Sequence, residues 1–212
     1  MKKFELAHKY LLDAFNNSEY LNNNPHSKNY RYEHSIRVAN IGRVIAEEEG
    51  FDIEAFMVAC LLHDISYVEE FKKENDWLGH GRRAAYMVKD FIESLGFARE
   101  VTNDILYGIA IHVDDVSDFL GVRTPFALAI GDADNIDRFD TYRIFETLKY
   151  EKFDELSLDE KMDVCRNRLS NLKRLLSKDY ATPTSTKLFH EKLEFQLSFY
   201  SRLLLQLEAS EL

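Results

Sequence analysis

Apolar residues return every three or four positions along almost the whole chain, and little interrupts them: 212 residues hold eight glycines and three prolines. That period is the signature of helices with one buried face. Strand-rich folds need turn residues at short intervals, and no run here reads as a strand. The expectation is an all-α fold, a compact helical bundle. A first helix carries Phe4, Leu11, Leu12 and Phe15 on its apolar side, and the polar "NNNPHSKN" breaks the chain after it. A second covers about 29–49 and stops at Gly50; a third starts at Asp52, a plausible N-cap, and runs to about Asp64. A loop follows through "KKENDWLG", and then come helices from about Gly79 to "SLGF", at 98–112 and from the cap pair Thr124-Pro125. The last are expected near 141–150, 158–178 and 185–209. The length suits one domain over 1–212, with residues from about 157 to 209 as a C-terminal helical hairpin packed on it.

Charge narrows the partners. A formal net charge of −10 argues against long nucleic acid, whose binders neutralise phosphates with a basic surface. Small phosphorylated molecules stay in play, because a metal ion adds local positive charge. The longest apolar stretch, "AFMVACLL", is too short to cross a bilayer, so no membrane partner is expected. The N-terminus has no signal-peptide pattern, and Cys60 and Cys165 lie singly among helical apolar residues. These features read as a cytoplasmic protein with reduced core cysteines. Nothing in the sequence indicates the oligomeric state.

The chemistry-bearing residues lie at the ends of the apolar stripes. His34 precedes Val38, Ile41 and Ile45; His63 follows Phe56 and Ala59; His80 precedes Ala84, Met87 and Phe91. His112 follows Ile105 and Ile109, and Asp134 follows Ala127 and Ile130. Asp64 sits directly after His63. One core histidine is unremarkable. Four inward imidazoles and two inward carboxylates, each desolvated alone, would each need its own partners. One shared metal centre satisfies them together, as helical bundles do with side chains from facing helices.

The order His34, His63-Asp64, Asp134, with the flanks "RYEHSIRVANIGRVIA", "VACLLHDI" and "IGDADNIDRF", resembles the HD superfamily of metal-dependent phosphohydrolases over about residues 28–145. "LGHGRRAAYMVKDFIESLGF" and "ILYGIAIHVDD" put His80 and His112 where the two-metal branch of that superfamily carries extra histidines. The resemblance implies an HD-type bundle and a metal site with His34, His63, Asp64, His80, His112 and Asp134 as ligands, Asp64 being the bridging, catalytic carboxylate. The C-terminal "ATPTSTKLFHEKLEFQLSFYSRLL" looks more like a nucleotide pyrophosphohydrolase branch that generally holds one metal. One-metal binding by His34, His63, Asp64 and Asp134 therefore stays open. Some related nucleotidases carry an acid three positions after the His-Asp aspartate; here Tyr67 stands there, which departs from that pattern. Asp132 and Asp137 bracket Asp134 and compete for its assignment.

A shell of imidazole and carboxylate suits one or two divalent transition metal ions, Fe, Mn, Co, Ni or Zn. The expected reaction is hydrolysis, by metal-activated water, of a phosphoester or phosphoanhydride bond in a small phosphorylated molecule, a nucleotide in first place. Arg31, Arg37, Arg83 and Arg138 lie three or four residues from candidate ligands and are the expected substrate-binding cations, with Lys28 and Arg123 as weaker candidates. Trp77, Tyr32 and Tyr67 are candidates to stack on a base, and Glu33, Asp114 and Asp115 to orient ligand histidines. Two rival readings accompany this one: a di-iron oxygenase with the same six ligands, and a nucleotide-sensing module that hydrolyses nothing.

Overall fold

The computed structural model describes residues 2–210, and among them every regular element is helical. The chain divides into two compact units, one ending at Asp134 and one beginning at Asn135. The first contains α1 (Lys2–Asn17), α2 (Glu19–Asn23), α3 (Pro25–Glu49), α4 (Ile53–Leu62), α5 (Glu74–Leu78), α6 (His80–Ser94), α7 (Arg99–Ile111) and most of α8 (Pro125–Asp137). The second contains α9 (Thr141–Tyr150), α10 (Leu158–Lys173) and α11 (Pro183–Glu208).

At the centre of the first unit stands α4. Its sequence, "IEAFMVACLL", is apolar on all sides, and Ala55 through Leu62 are buried without exception. A helix with no polar face is stable only when surrounded; α1, α3 and α7 pack around it. Its start is set by Asp52, whose side chain accepts from the Ala55 amide at 3.0 Å. That removes one of the donors a helix leaves unpaired at its first turn. The preceding α3 ends at Gly50, which takes φ +71, a left-handed conformation that costs glycine little. At the start of α8, Thr124 Oγ1 accepts from the Ala127 amide at 3.1 Å, with Pro125 behind it.

Two close approaches fix the helices around the future site. A Cβ on Gly108 of α7 would stand 2.9 Å from the Ala127 carbonyl oxygen of α8, so only glycine lets the two backbones meet there. A Cβ on Gly81 of α6 would stand 2.9 Å from His112 Nδ1 and 2.8 Å from the Ala110 carbonyl oxygen, which sets α6 against the last turn of α7.

Two sequence expectations are corrected. "NNNPHSKN" breaks the chain at Asn24 alone: α2 begins under a Ser18 cap, Leu21 N donating to Ser18 Oγ at 3.0 Å, and α3 starts already at Pro25. Proline in the first turn has no partner to lose, because its missing N–H would be unpaired there anyway. "KKENDWLG" is not a bare loop either. Asp76 accepts the backbone amides of Lys72 and Lys73 at 2.8 and 2.9 Å and holds the short α5, which sets up His80.

In the second unit α10 and α11 pack together as a hairpin. Their buried rows are Met162, Cys165, Leu169 and Leu172 on one helix, and Phe189, Leu193, Gln196 and Tyr200 on the other. A capping box opens α10: Glu160 N donates to Ser157 Oγ and Ser157 N to Glu160 Oε2. No helix among the described residues is long and apolar enough to cross a membrane.

Candidate metal centre

The helix ends of the first unit converge. His63 is the C-cap of α4, His112 the C-cap of α7, and His80 the first residue of α6. His34 lies within α3 and Asp134 within α8. His34 and His63 are buried, Asp64 and Asp134 nearly so. The side chains of His80 and Asp134 are each 12 % exposed and that of His112 is 1 %, so the site opens to solvent beside the first two.

Three of the imidazoles are oriented by one device. His63 Nδ1 lies 2.8 Å from the Cys60 carbonyl oxygen, His112 Nδ1 2.7 Å from that of Ile109, and His80 Nδ1 2.5 Å from that of Trp77. Each carbonyl is three residues earlier. The last carbonyls of a helix have no intrahelical donor, so a terminal histidine can supply one. A carbonyl accepts only, so Nδ1 must donate and carry the proton. In the neutral ring Nε2 is then a bare lone pair.

Those lone pairs face one another and two carboxylates. His80 Nε2 is 3.2 Å from His112 Nε2 and 3.0 Å from Asp64 Oδ1, while His112 Nε2 is 3.5 Å from the same oxygen. On the other side His34 Nε2 is 3.2 Å from Asp134 Oδ1 and 3.6 Å from Asp64 Oδ2. His63 Nε2 stands between, 3.6 Å from Asp64 Oδ1 and 3.8 Å from Asp134 Oδ1. It is buried and makes no hydrogen bond. A buried ring nitrogen left without a bond is costly. The donor set and spacing fit a divalent ion: atoms about 2.0–2.2 Å from one centre lie about 3–4 Å from each other. Two such groups form, His34, His63 and Asp134, and His63, Asp64 and His112, each with ligand atoms within 4.8 Å of one another. Asp64 lies between the two, one oxygen toward His34 and the other toward His80 and His112.

The carboxylates are held ionised. Burial raises the pKa of Asp64, but the imidazoles of His63, His112 and His80, in their protonated form, and the Arg31 guanidinium together hold it well below the usual carboxylate range. At Asp134 burial is likewise outweighed by the neighbouring imidazoles of His34 and His63, in their protonated form, and its pKa lies below the ordinary carboxylate range.

The other sequence candidates scatter. Arg31 is at the centre: Nη1 donates to Asp64 Oδ2 at 2.9 Å, and its guanidinium lies 3.3 Å above the Tyr67 ring. Tyr67, the residue standing where an acid was looked for, thus supports Arg31 through its ring face. Arg83 is turned to Glu69, with Nε donating at 2.9 Å and Nη2 to the other oxygen. Arg37 approaches Glu33 at 4.0 Å, and Arg138 belongs to the second unit. Lys28 bonds Asn16 and Asn22, and Arg123 pairs with Asp115. Asp114 pairs with Arg82, so backbone carbonyls, rather than Glu33, Asp114 or Asp115, orient His63, His80 and His112. Tyr32 bonds His8, and Trp77 is half exposed beside Phe71. The orienting carbonyls of Cys60, Trp77 and Ile109 were not singled out from the sequence, although their fixed spacing of three residues before each histidine is visible in it.

The family model for the HD domain matches residues 31–140, a span that contains all six candidate ligands. The chain belongs to the HD domain family. Its general class follows from that membership: a metal-dependent phosphohydrolase. Among solved structures it is similar to a protein described as a predicted HD superfamily hydrolase from an uncultured Thermotogales bacterium, with a TM-score of 0.62 and 18% identity over 95% of this chain and 91% of that one. That likeness shows the shared fold. No curated protein matches the sequence significantly.

Proposed function

We propose that this HD protein hydrolyses a phosphoester or phosphoanhydride bond in a small phosphorylated molecule, a nucleotide in first place, at a centre for two ions held by His34, His63, Asp64, His80, His112 and Asp134. The observation that carries the two-ion reading is the approach of His80 Nε2 to His112 Nε2 at 3.2 Å, with both Nδ1 atoms committed to carbonyls. Two lone pairs at that distance repel unless a cation lies beside them. When bound, divalent ions supply an activated water and offset charge on the phosphoryl oxygens. The chain's own contribution is to place the donors. The helix-end carbonyls fix three rings, and Arg31 fixes the Asp64 carboxylate by bonding the oxygen on its His34 side. Arg31 also brings a guanidinium 77 % shielded from solvent next to where a phosphoryl oxygen would bind, a geometry suited to stabilising added negative charge. Burial of Asp64 and Asp134 keeps bulk water from competing with the donors.

The test is release of inorganic phosphate or pyrophosphate from a panel of nucleotides with Mn, Fe, Co, Ni or Zn added, beside oxygen uptake under air. Turnover with phosphate or pyrophosphate release, lost in Asp64→Ala, supports the reading. Nucleotide binding without turnover in every metal, or oxygen consumption in its place, overturns it.

A further inference from the structure

The second unit contains a cavity of about 540 Å³ with no candidate metal ligand in its wall. Its size is that of a small-molecule site. Three helices line it, α11 through Gln196 and Tyr200, and the other two with matching spacing. On α9 the wall residues are Arg143, Glu146, Thr147 and Tyr150, and on α10 they are Arg168, Asn171 and Leu172, with Leu175 in the turn that follows. Within each helix the wall residues step by three and four, so they share one face, and each face begins with an arginine. Arg138, four residues beyond Asp134, adds a third guanidinium from the turn after α8.

The charge of this wall is opposite to that of the chain. Three guanidiniums stand against two carboxylates, Glu146 in the wall and Glu151 behind Arg168, in a protein of net charge −10. One of them is braced: Arg168 Nη2 donates to Glu151 Oε1 at 2.6 Å, which orients its planar fork. The walls also offer amides, from Asn135, Asn171 and Gln196, and an apolar strip of Leu172 and Leu175. At the mouth the Tyr150 ring is 89% exposed. Paired planar donors over a concave surface suit a tetrahedral oxyanion, and the apolar strip beside them suits the body of the molecule that carries it.

We infer that this cavity is an anion-binding site, separate from the metal centre, for the phosphate group of a small phosphorylated molecule, with Arg138, Arg143 and Arg168 as its cations. The site does not depend on the hydrolase reading, because none of its residues is a candidate metal ligand. Pyrophosphate is the probe, titrated calorimetrically into the full-length protein, with sulfate in a parallel titration. Saturable binding is expected for the wild type. Arg143→Gln should weaken it about tenfold or more, the usual effect of deleting a charge-assisted hydrogen bond. Thr147→Glu, which adds a carboxylate to the wall at a half-buried position, should abolish it. Asp64→Ala, which disables the metal centre, should leave it in place. The inference is overturned if no saturable binding appears up to about 10 mM, a range that covers even weak sites. It is equally overturned if either cavity variant, folded by far-UV circular dichroism, binds like the wild type, or if Asp64→Ala alone removes the binding. Sulfate that competes with pyrophosphate identifies the oxyanion as the recognised group; sulfate that fails to compete, with no binding of inorganic phosphate either, overturns that assignment.

Discussion

His80 and His112 meet nitrogen to nitrogen at 3.2 Å, each with its other ring nitrogen committed to a carbonyl three residues before it. Neither ring can turn away without leaving a helix-end carbonyl unpaired. The pair therefore directs both Nε2 atoms to the Asp64 Oδ1 side, the placement that the proposed second ion requires. His80→Ala removes one member and leaves His34, His63, Asp64 and Asp134 in place. Metal content by elemental analysis is expected to fall from two ions per chain to one, with hydrolysis reduced at least about 100-fold, a loss in the range found when charge-stabilising groups are deleted. An unchanged stoichiometry would mean that the second ion lies elsewhere.

Arg31 is bonded to a candidate ligand rather than standing apart for substrate. Groups that orient metal ligands typically account for about 10- to 100-fold in affinity or activity. Arg31→Met keeps the length of the side chain and deletes the charge and the bond to Asp64 Oδ2. The expected result is a kcat lower by about that factor with the fold intact, and Arg31→Lys, which lacks the planar fork over Tyr67, should recover only part of it. Equal kcat for the wild type and Arg31→Met would remove the residue from the mechanism.

The close approach at Gly81 makes a sterically defined prediction. A methyl there meets the Ala110 carbonyl oxygen and His112 Nδ1 at under 3 Å, so α6 must move away from α7. Gly81→Ala is expected to cost about 1–3 kcal/mol in denaturant unfolding. It should also separate His80 from His112, so the variant is expected to retain one ion and lose the other. Full metal content in the variant would show that the helices yield without disturbing the pair.

In the second unit Asp140 caps α9 and joins it to α11. Oδ1 accepts from the Thr141 amide at 2.7 Å, and Oδ2 lies 2.6 Å from Lys192 Nζ. Burial raises its pKa, but Lys192 and the Thr141 amide lower it by more, so the folded value lies below the ordinary one. A depressed value stabilises the fold above the unfolded-state pKa, about 3.9, and the contribution is lost as pH falls through the folded value. Asp140→Asn should therefore be less stable than the wild type at pH 7, by about 0.5–1 kcal/mol, since the pair is partly open to solvent. The two stability curves should converge in strong acid. Parallel curves from pH 7 to pH 2 would show that the charge contributes nothing.

Removal of metal tests the whole centre at once. A ligand that binds only the folded state raises the melting temperature by mass action. Chelation is expected to lower it, readdition of Mn or Fe to restore it, and Asp134→Ala to abolish most of the response. A melting temperature indifferent to chelator and metal would contradict a centre built from these six groups.

The helices of this protein were legible in its sequence because each carries its own evidence. The all-round apolar α4, the caps at Asp52 and Thr124, and the glycine at position 50 are local signals, and the structure uses them as they read. Where reading failed, at Pro25 and at Asp76, a residue that usually marks a break had found its permitted place in a first turn or as a cap. The periodicity pointed His34, His63, His80, His112 and Asp134 inward, since a stripe defines a face, but only His63, His80 and His112 stand at helix ends, and His34 lies well inside α3. A stripe does not say what that face meets. Only tertiary packing brought Asp134 Oδ1 on α8 to 3.2 Å from His34 Nε2 on α3. Only packing turned Arg31 onto Asp64 and Arg83 onto Glu69, because a guanidinium on a long flexible stem goes to whichever anion the fold brings within reach. The order of residues thus determined which groups are buried and where each helix ends. The tertiary structure decided which atoms face one another, because hydrogen bonds and metal ligation act over a few ångströms between residues far apart in the chain.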